Sequence, residues 1–199
     1  MVNAPQPAPD PGPEGPKVLW ISQALGPGRG LELLADALGF CEPVFTVTLV
    51  GNSQGNYQEE LEKRIPQVWK SRLQFQSQVK DREVIPLVAQ HHIGLALEKK
   101  TPENRDLTVT NKMLQYLLGG LMVVATKTRG QEEIAKLVNG AVQLIPLDEP
   151  EKLGSALNHL AKSPDIIKDG RFRARSRAEG RLCWEKESQQ IIGIFERSL

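Results

Sequence analysis

The 199-residue chain has two cysteines, Cys41 and Cys183, with neither a CxxC pair nor Cys/His spacing between them. A disulfide framework and a structural zinc site are both excluded on that ground. Charge of one sign is also lacking. The formal net charge is +1, so no global field favours nucleic acid or an acidic membrane. No apolar run approaches the roughly 20 residues of a membrane span. The N-terminus has no basic and apolar blocks of a signal peptide, which makes a cytoplasmic protein the expectation. GxGxxG and the P-loop pattern are missing too, which leaves a dinucleotide-dependent enzyme without its main support. What remains is ordinary globular composition, 40% hydrophobic and 25% charged, enough for one domain with a core.

Residues 1–16 hold six of the 14 prolines, mixed with Gly, Ala, Asp and Glu. Such a segment buries too little apolar surface to offset its ordering entropy, so a mobile tail or linker is expected. Residues 17–199 form the domain. Short β-rich runs at 17–22, 44–50, 73–77, 93–97, 122–126 and 141–145 alternate with helical patterns at 31–38, 57–64, 81–89, 112–118 and 131–138. Gly51-Asn52 reads as a turn closing the second strand, and Asn56 as a cap for the helix that follows. Helices are expected at 150–161, from about 163 onward, and at 184–196. Uninterrupted apolar strands separated by helices predict an α/β, doubly wound, Rossmann-like parallel sheet covered on both faces. Ligands of such folds lie beyond the C-terminal ends of the strands.

Two stretches at those ends carry candidate chemistry. In Gly26-Pro27-Gly28-Arg29-Gly30 the glycines permit close backbone approach, the following helix start favours an anion, and Arg29 adds a forked cation suited to a diphosphate. A tight turn with an exposed Arg is the plainer alternative. In the second stretch, Thr110 or Asn111 can cap a helix whose first turn carries Lys112. A cation there opposes the helix dipole and makes sense if an anion sits in front of it. Gln115, one turn in, can offer its amide to ribose hydroxyls. An ordinary cap with a solvated Lys is the alternative. His91-His92 points its rings apart and argues against a metal site. Arg171, Arg173, Arg175, Arg177 and Arg181 spread over several helix faces and read as a solvated helix, with a phosphate or lipid-headgroup contact left open.

Thr110-Asn111-Lys112 with Gln115-Tyr116, Gly119-Gly120 and the strand 122–126, followed by Gly130-Gln131-Glu132-Glu133, resembles the nucleotide-sugar motif of group 1 retaining glycosyltransferases of the two-domain GT-B fold. Gly28-Arg29-Gly30-Leu31-Glu32 resembles the phosphate-binding turn of that family, residues 73–87 its strand, loop and helix, and Cys183-Trp184-Glu185 the opening of its last helix. The resemblance implies the C-terminal, donor-binding half of such an enzyme. It places Gly28, Arg29 and Gly30 on the donor diphosphate, Thr110, Asn111 and Lys112 before the phosphates and sugar, Gln115 on the ribose, and Gln78 and Val79 beside the base. The substrate implied is a nucleoside-diphosphate sugar, with no cofactor or metal. The expected partner is an acceptor-binding domain or subunit, together with a peripheral membrane contact.

Departures from the family pattern run alongside. A second diphosphate Arg falls on Ala24, a paired-motif Glu on Leu107, its partner on Gln115, and the usual Pro on Met122. Two readings follow. One is a donor-binding half, incomplete and inactive without an acceptor domain. The other is a non-catalytic Rossmann-like interaction module with a degenerate site. The donor-binding reading requires that Arg29 and Lys112 open into one pocket with neither held in an internal ion pair.

Overall fold

The computed structural model describes residues 5–180 together with Leu182, Ser188 and Ile192. The motif Cys183-Trp184-Glu185, Arg181 and, apart from Ser188 and Ile192, the expected last helix over 184–196 lie outside the described residues.

Among the described residues, six strands form one parallel sheet in the order β3-β2-β1-β4-β5-β6. They are β1 (Lys17–Leu25), β2 (Thr46–Ser53), β3 (Leu73–Gln76), β4 (Ile93–Ala96), β5 (Met122–Thr126) and β6 (Val142–Ile145). β4 and β5 are buried at every position, as central parallel strands must be with helices on both faces. β3, at an edge, alternates instead. The helices are α1 (Leu31–Ala37), α2 (Tyr57–Arg64), α3 (Asp81–Val88), α4 (Asn104–Leu107), α5 (Asn111–Gly119), α6 (Arg129–Leu137), α7 (Pro150–Ala161) and α8 (Pro164–Gly180).

Alternation along β1 divides the core. Val18 and Trp20 join Leu31 and Leu34 of α1, Leu61 of α2 and Leu153 and Leu157 of α7 on one face. Leu19 and Ile21 join Val88 of α3, Met113 and Leu117 of α5, Ile134 of α6 and Ala174 of α8 on the other. Side chains of successive strand residues point to opposite faces, so one strand feeds both layers. This is the doubly wound α/β fold anticipated from the alternating pattern.

Several local expectations are corrected. β1 continues past residue 22 to Leu25, and β2 runs through Gly51-Asn52 to Ser53, because Ala24 and Leu25 pair with Asn52 and Ser53 after a register shift. Asn56 does not cap α2 through its side chain; its amide turns to Glu60 at 2.9 Å. The polar stretch after β4 contains the short helix α4. Residues 5–16 do not hang free of the domain. Ala8 N–H donates to the Ala89 carbonyl, Arg171 donates to the Ala8 carbonyl, and His92 Nε2 lies 2.9 Å from the Pro9 carbonyl.

The arginines of α8 also differ from the expected solvated face. Arg171 is buried and donates through Nε to the Gly120 carbonyl at 3.2 Å, while Arg175 donates to the Leu118 carbonyl at 2.8 Å. Four residues apart, they share the inner side of the helix. Arg173 and Arg177 lie on the outer side, with Arg173 paired to Asp169. No helix among the described residues is long and apolar enough to cross a membrane.

Candidate functional site

Strand order reverses between β1 and β4. The chain winds outward from β1 through β2 to β3, then returns to place β4 on the other side of β1. Connections leaving two adjacent strands in opposite directions open a crevice at their C-terminal ends. Here β1 and β4 pair only at Val18↔Ile93 and Leu19↔Gly94. Beyond that point Tyr116 of α5 bridges the parting strands, its hydroxyl accepting from Ile21 N–H at 3.0 Å and donating to the Leu95 carbonyl at 3.2 Å. The ring lies so close to Gly94 that a Cβ there would sit 2.5 Å from it. Burial pushes the Tyr116 hydroxyl far above its ordinary pKa, so it stays a neutral hydrogen-bonding bridge.

The crevice is a cavity of about 670 Å³, and it gathers nearly every residue singled out in the sequence. Arg29, Gln78, Val79, Thr110, Asn111, Lys112 and Gln115 all line it. Gly28 and Gly30 flank Arg29 at positive φ, 72° and 81°, in the turn that launches α1. Leu107 is outside the lining and more than half exposed.

The turn is fixed from two sides. A Cβ on Gly30 would come within 2.2 Å of the Leu97 carbonyl, so only glycine brings the turn against the end of β4. Glu32 folds back to accept from Gly28 N–H at 3.2 Å and from the Tyr57 hydroxyl at 2.8 Å. Burial raises the Glu32 pKa, but the hydrogen bonds from its own amide, Tyr57 and Gly28 outweigh it and carry the carboxyl below its ordinary value. On its other backbone group, the Gly28 carbonyl accepts from Arg105 Nη1 of α4 at 2.6 Å. Both backbone groups of Gly28 are therefore engaged within the chain. What the turn offers the cavity is the Arg29 guanidinium, held at 3.0 Å on Ser22 Oγ.

Lys112 departs from expectation. It lines the cavity, yet its Nζ sits 2.8 Å from Glu98 Oε1, with the two side chains only 12% and 10% exposed. It also lies over the buried Trp20 ring, 5.0 Å from the centroid, within reach of a cation–π contact. The anion in front of this helix start is a carboxylate of the chain itself. One condition is met, since Arg29 and Lys112 open into one cavity. The other is not, since Lys112 is held in an internal ion pair.

Thr110 is the N-cap residue of α5, but its side chain makes no capping bond and its buried Oγ1 has no partner. By contrast Thr128 caps α6 through its side chain. The α5 start thus keeps first-turn amides uncapped by a side chain, at the positive end of the helix dipole. The lining holds three cations, Arg29, Arg105 and Lys112, against two carboxylates, Asp81 and Glu98. Such a lining suits an anion.

His91 and His92 are buried apart from this cavity. His91 Nε2 lies 3.2 Å from Thr48 Oγ1, while His92 Nδ1 accepts from Lys17 N–H at 2.8 Å. Among the described residues no three His, Cys, Asp or Glu side chains gather as metal ligands.

Residues 15–163 match the family described as glycosyl transferases group 1. The chain belongs to the group 1 glycosyl transferases. Among curated proteins no sequence matches it. Of solved structures, the Anabaena protein Alr3699/HepE in complex with UDP superposes with a TM-score of 0.78 at 24% identity, covering 94% of this chain and 50% of that one. HepE has also been solved with UDP-glucose, at 25% identity and a TM-score of 0.76. The C-terminal domain of the group 1 protein LpcC from Francisella tularensis superposes with a TM-score of 0.70 at 14% identity, covering 90% of this chain and 89% of that domain. This group 1 chain therefore spans about half the length of HepE and nearly all of the LpcC domain. Its fold is one Rossmann-like half of the GT-B architecture.

Sequence reading missed Arg105, Glu98 and the bridging role of Tyr116. Arg105 and Glu98 lie in the polar stretch after β4 and belong to no motif. Only the closure of the crevice brings them onto the Gly28 turn and Lys112.

Proposed function

We propose that this group 1 domain binds a nucleoside-diphosphate sugar in the β1/β4 crevice and serves as the donor half of a retaining glycosyltransferase. The observation that carries the reading is the opening of the Arg29 turn and the side-chain-uncapped start of α5 into one cavity at the switch point, with Lys112, closed on Glu98, no longer counted among the phosphate ligands. Its orientation rests on the same layout. Gln78 and Val79 stand at the β3 end of the cavity for the base, Gln115 for the ribose, and Arg29 for the diphosphate. Asn52 braces the base end, accepting from Gln78 N–H at 3.2 Å. HepE, solved with UDP and with UDP-glucose, supports the ligand class.

Glycosyl transfer demands that acceptor, donor and leaving diphosphate be held together. The crevice residues serve the leaving group through cations and helix-start amides. An acceptor-binding half must supply the rest, and the chain on its own is then inactive. The second reading, an interaction module with a degenerate site, draws on Ala24, Leu107 and the Lys112–Glu98 pair.

Calorimetric titration with UDP, GDP, ADP and their sugars decides between them. Binding by one nucleotide series is expected, weakened about tenfold or more by Arg29→Ala, as befits loss of a charge-assisted contact. Absence of binding at millimolar ligand sinks the donor reading. Sugar transfer on mixing with a separate acceptor domain sinks the module reading.

A further inference from the structure

We propose that Arg105 is the second diphosphate-binding cation of this site, reaching the ligand from α4 rather than from the turn that carries Arg29. The inference rests on the donor-binding reading above and extends it to a residue that no motif marks. The family pattern looks for a second cation on the strand β1 side, at Ala24, where a methyl group stands. The structure brings one from α4 instead. Arg105 Nη1 reaches the carbonyl of Gly28, the residue immediately before Arg29, and both guanidiniums line the same cavity. Neither is in an ion pair with a carboxylate among the described residues. Arg29 is held only by a hydroxyl and Arg105 only by a carbonyl, each through a single hydrogen bond. A guanidinium has five N–H donors, so each keeps capacity for a phosphoryl oxygen.

The loop that carries Arg105 is anchored in place. The adjacent Asp106 is buried and accepts from Arg129 N–H at 3.0 Å and from Arg129 Nε at 2.5 Å. Those bonds, the backbone one first, hold its carboxyl below the ordinary range. Gly130 packs so tightly beneath that a Cβ would lie 2.7 Å from both the Leu107 and Thr108 carbonyls. Arg105 is therefore presented by a fixed turn rather than a free loop. Two planar forks that line one cavity and meet at one turn suit the two phosphoryl groups of a nucleoside diphosphate.

Arg105→Ala and Arg105→Gln are titrated with UDP, GDP and ADP and with inorganic pyrophosphate, and thermal unfolding is followed for each variant. The glutamine keeps a donor for the Gly28 carbonyl but carries no charge. If Arg105 contacts the diphosphate, both variants lose about tenfold or more in affinity for the bound nucleoside diphosphate and for pyrophosphate. Should Arg105→Gln bind like the parent chain, the side chain only braces the turn and the assignment is overturned, whether or not the alanine variant folds. A parent chain that binds none of the three nucleotides overturns the donor reading and this inference together. Nucleotide binding unaffected by either variant overturns this inference alone.

Discussion

The Lys112–Glu98 pair sets the electrostatics of the site at the scale of single residues. Both side chains are nearly out of water, 2.8 Å apart, with the ammonium also against the Trp20 ring. Breaking a pair of this kind from one side leaves an uncompensated charge in a poor solvent, at a cost of about 3 kcal/mol or more. Replacing both partners removes the charge and its penalty together. Lys112→Met is therefore expected to lower stability by about 3 kcal/mol in urea denaturation. Glu98→Gln combined with Lys112→Met recovers most of that loss. A single-variant cost near zero contradicts a closed pair and makes Lys112 available to a ligand. The pair was invisible in the sequence for a physical reason. A cation opposing the helix dipole signals that some anion is near, but not whether it is a ligand or a side chain 14 positions back, just past the end of β4.

At the scale of elements, α5 organises the crevice, and both of its ends are worked by side chains from elsewhere. Its start opens on the cavity. Its C-terminal end closes on Gly120 at φ 74°, with Arg171 and Arg175 of α8 donating to the Gly120 and Leu118 carbonyls. Cations at a helix C-terminus complement the negative end of the dipole, and here they also satisfy carbonyls that the helix leaves unpaired. Arg171 joins a second segment by donating to the Ala8 carbonyl of the proline-rich leader. Arg171→Met keeps much of the apolar stem but strands those carbonyls. A loss of about 2–3 kcal/mol is expected, read as a lowered urea midpoint. Truncation of residues 1–16 is expected to reproduce part of it. An unchanged midpoint in the methionine variant rejects the anchoring role.

Element positions were legible because apolar periodicity is local. β5, α2 and α7 fall on the residues the pattern marked, and most of the others shift by a few positions. The leader's seating and the inward arginines were not legible. Their partners are main-chain carbonyls, which every residue type carries and no sequence pattern distinguishes.

For the whole molecule, two rings buried against a sheet covered on both faces predict its response to pH. His91 and His92 lie where β4 begins, beneath the leader and beside β1 and β2, so they tie three parts of the fold together. Burial is the main cause lowering both pKa values below the ordinary 6.5, and the hydrogen bonds that the rings make to the Leu87 and Pro9 carbonyls only partly oppose it. Lys17 bears on both rings. Arg171 disfavours charge on His92, and Asp10 weakly favours it. His92 is also fixed in tautomer. Nδ1 accepts from Lys17 N–H, so the proton sits on Nε2 and is donated to the Pro9 carbonyl. Protonation at Nδ1 breaks the bond to Lys17. The unfolded chain takes up protons near pH 6.5 while the folded chain resists to lower pH, so stability rises with pH across this interval. The contribution is complete above 6.5 and is lost as pH falls from 6.5 through the depressed folded values. Glu32, with a lowered carboxyl pKa, acts in a separate window below 4.5. Urea midpoints measured between pH 8 and pH 5 are expected to fall below about 6.5 in the parent chain. The slope flattens in His91→Gln and His92→Gln, additively if each ring acts alone. Midpoints constant down to pH 5 would mean that the rings gain charge without cost, incompatible with the burial described for them.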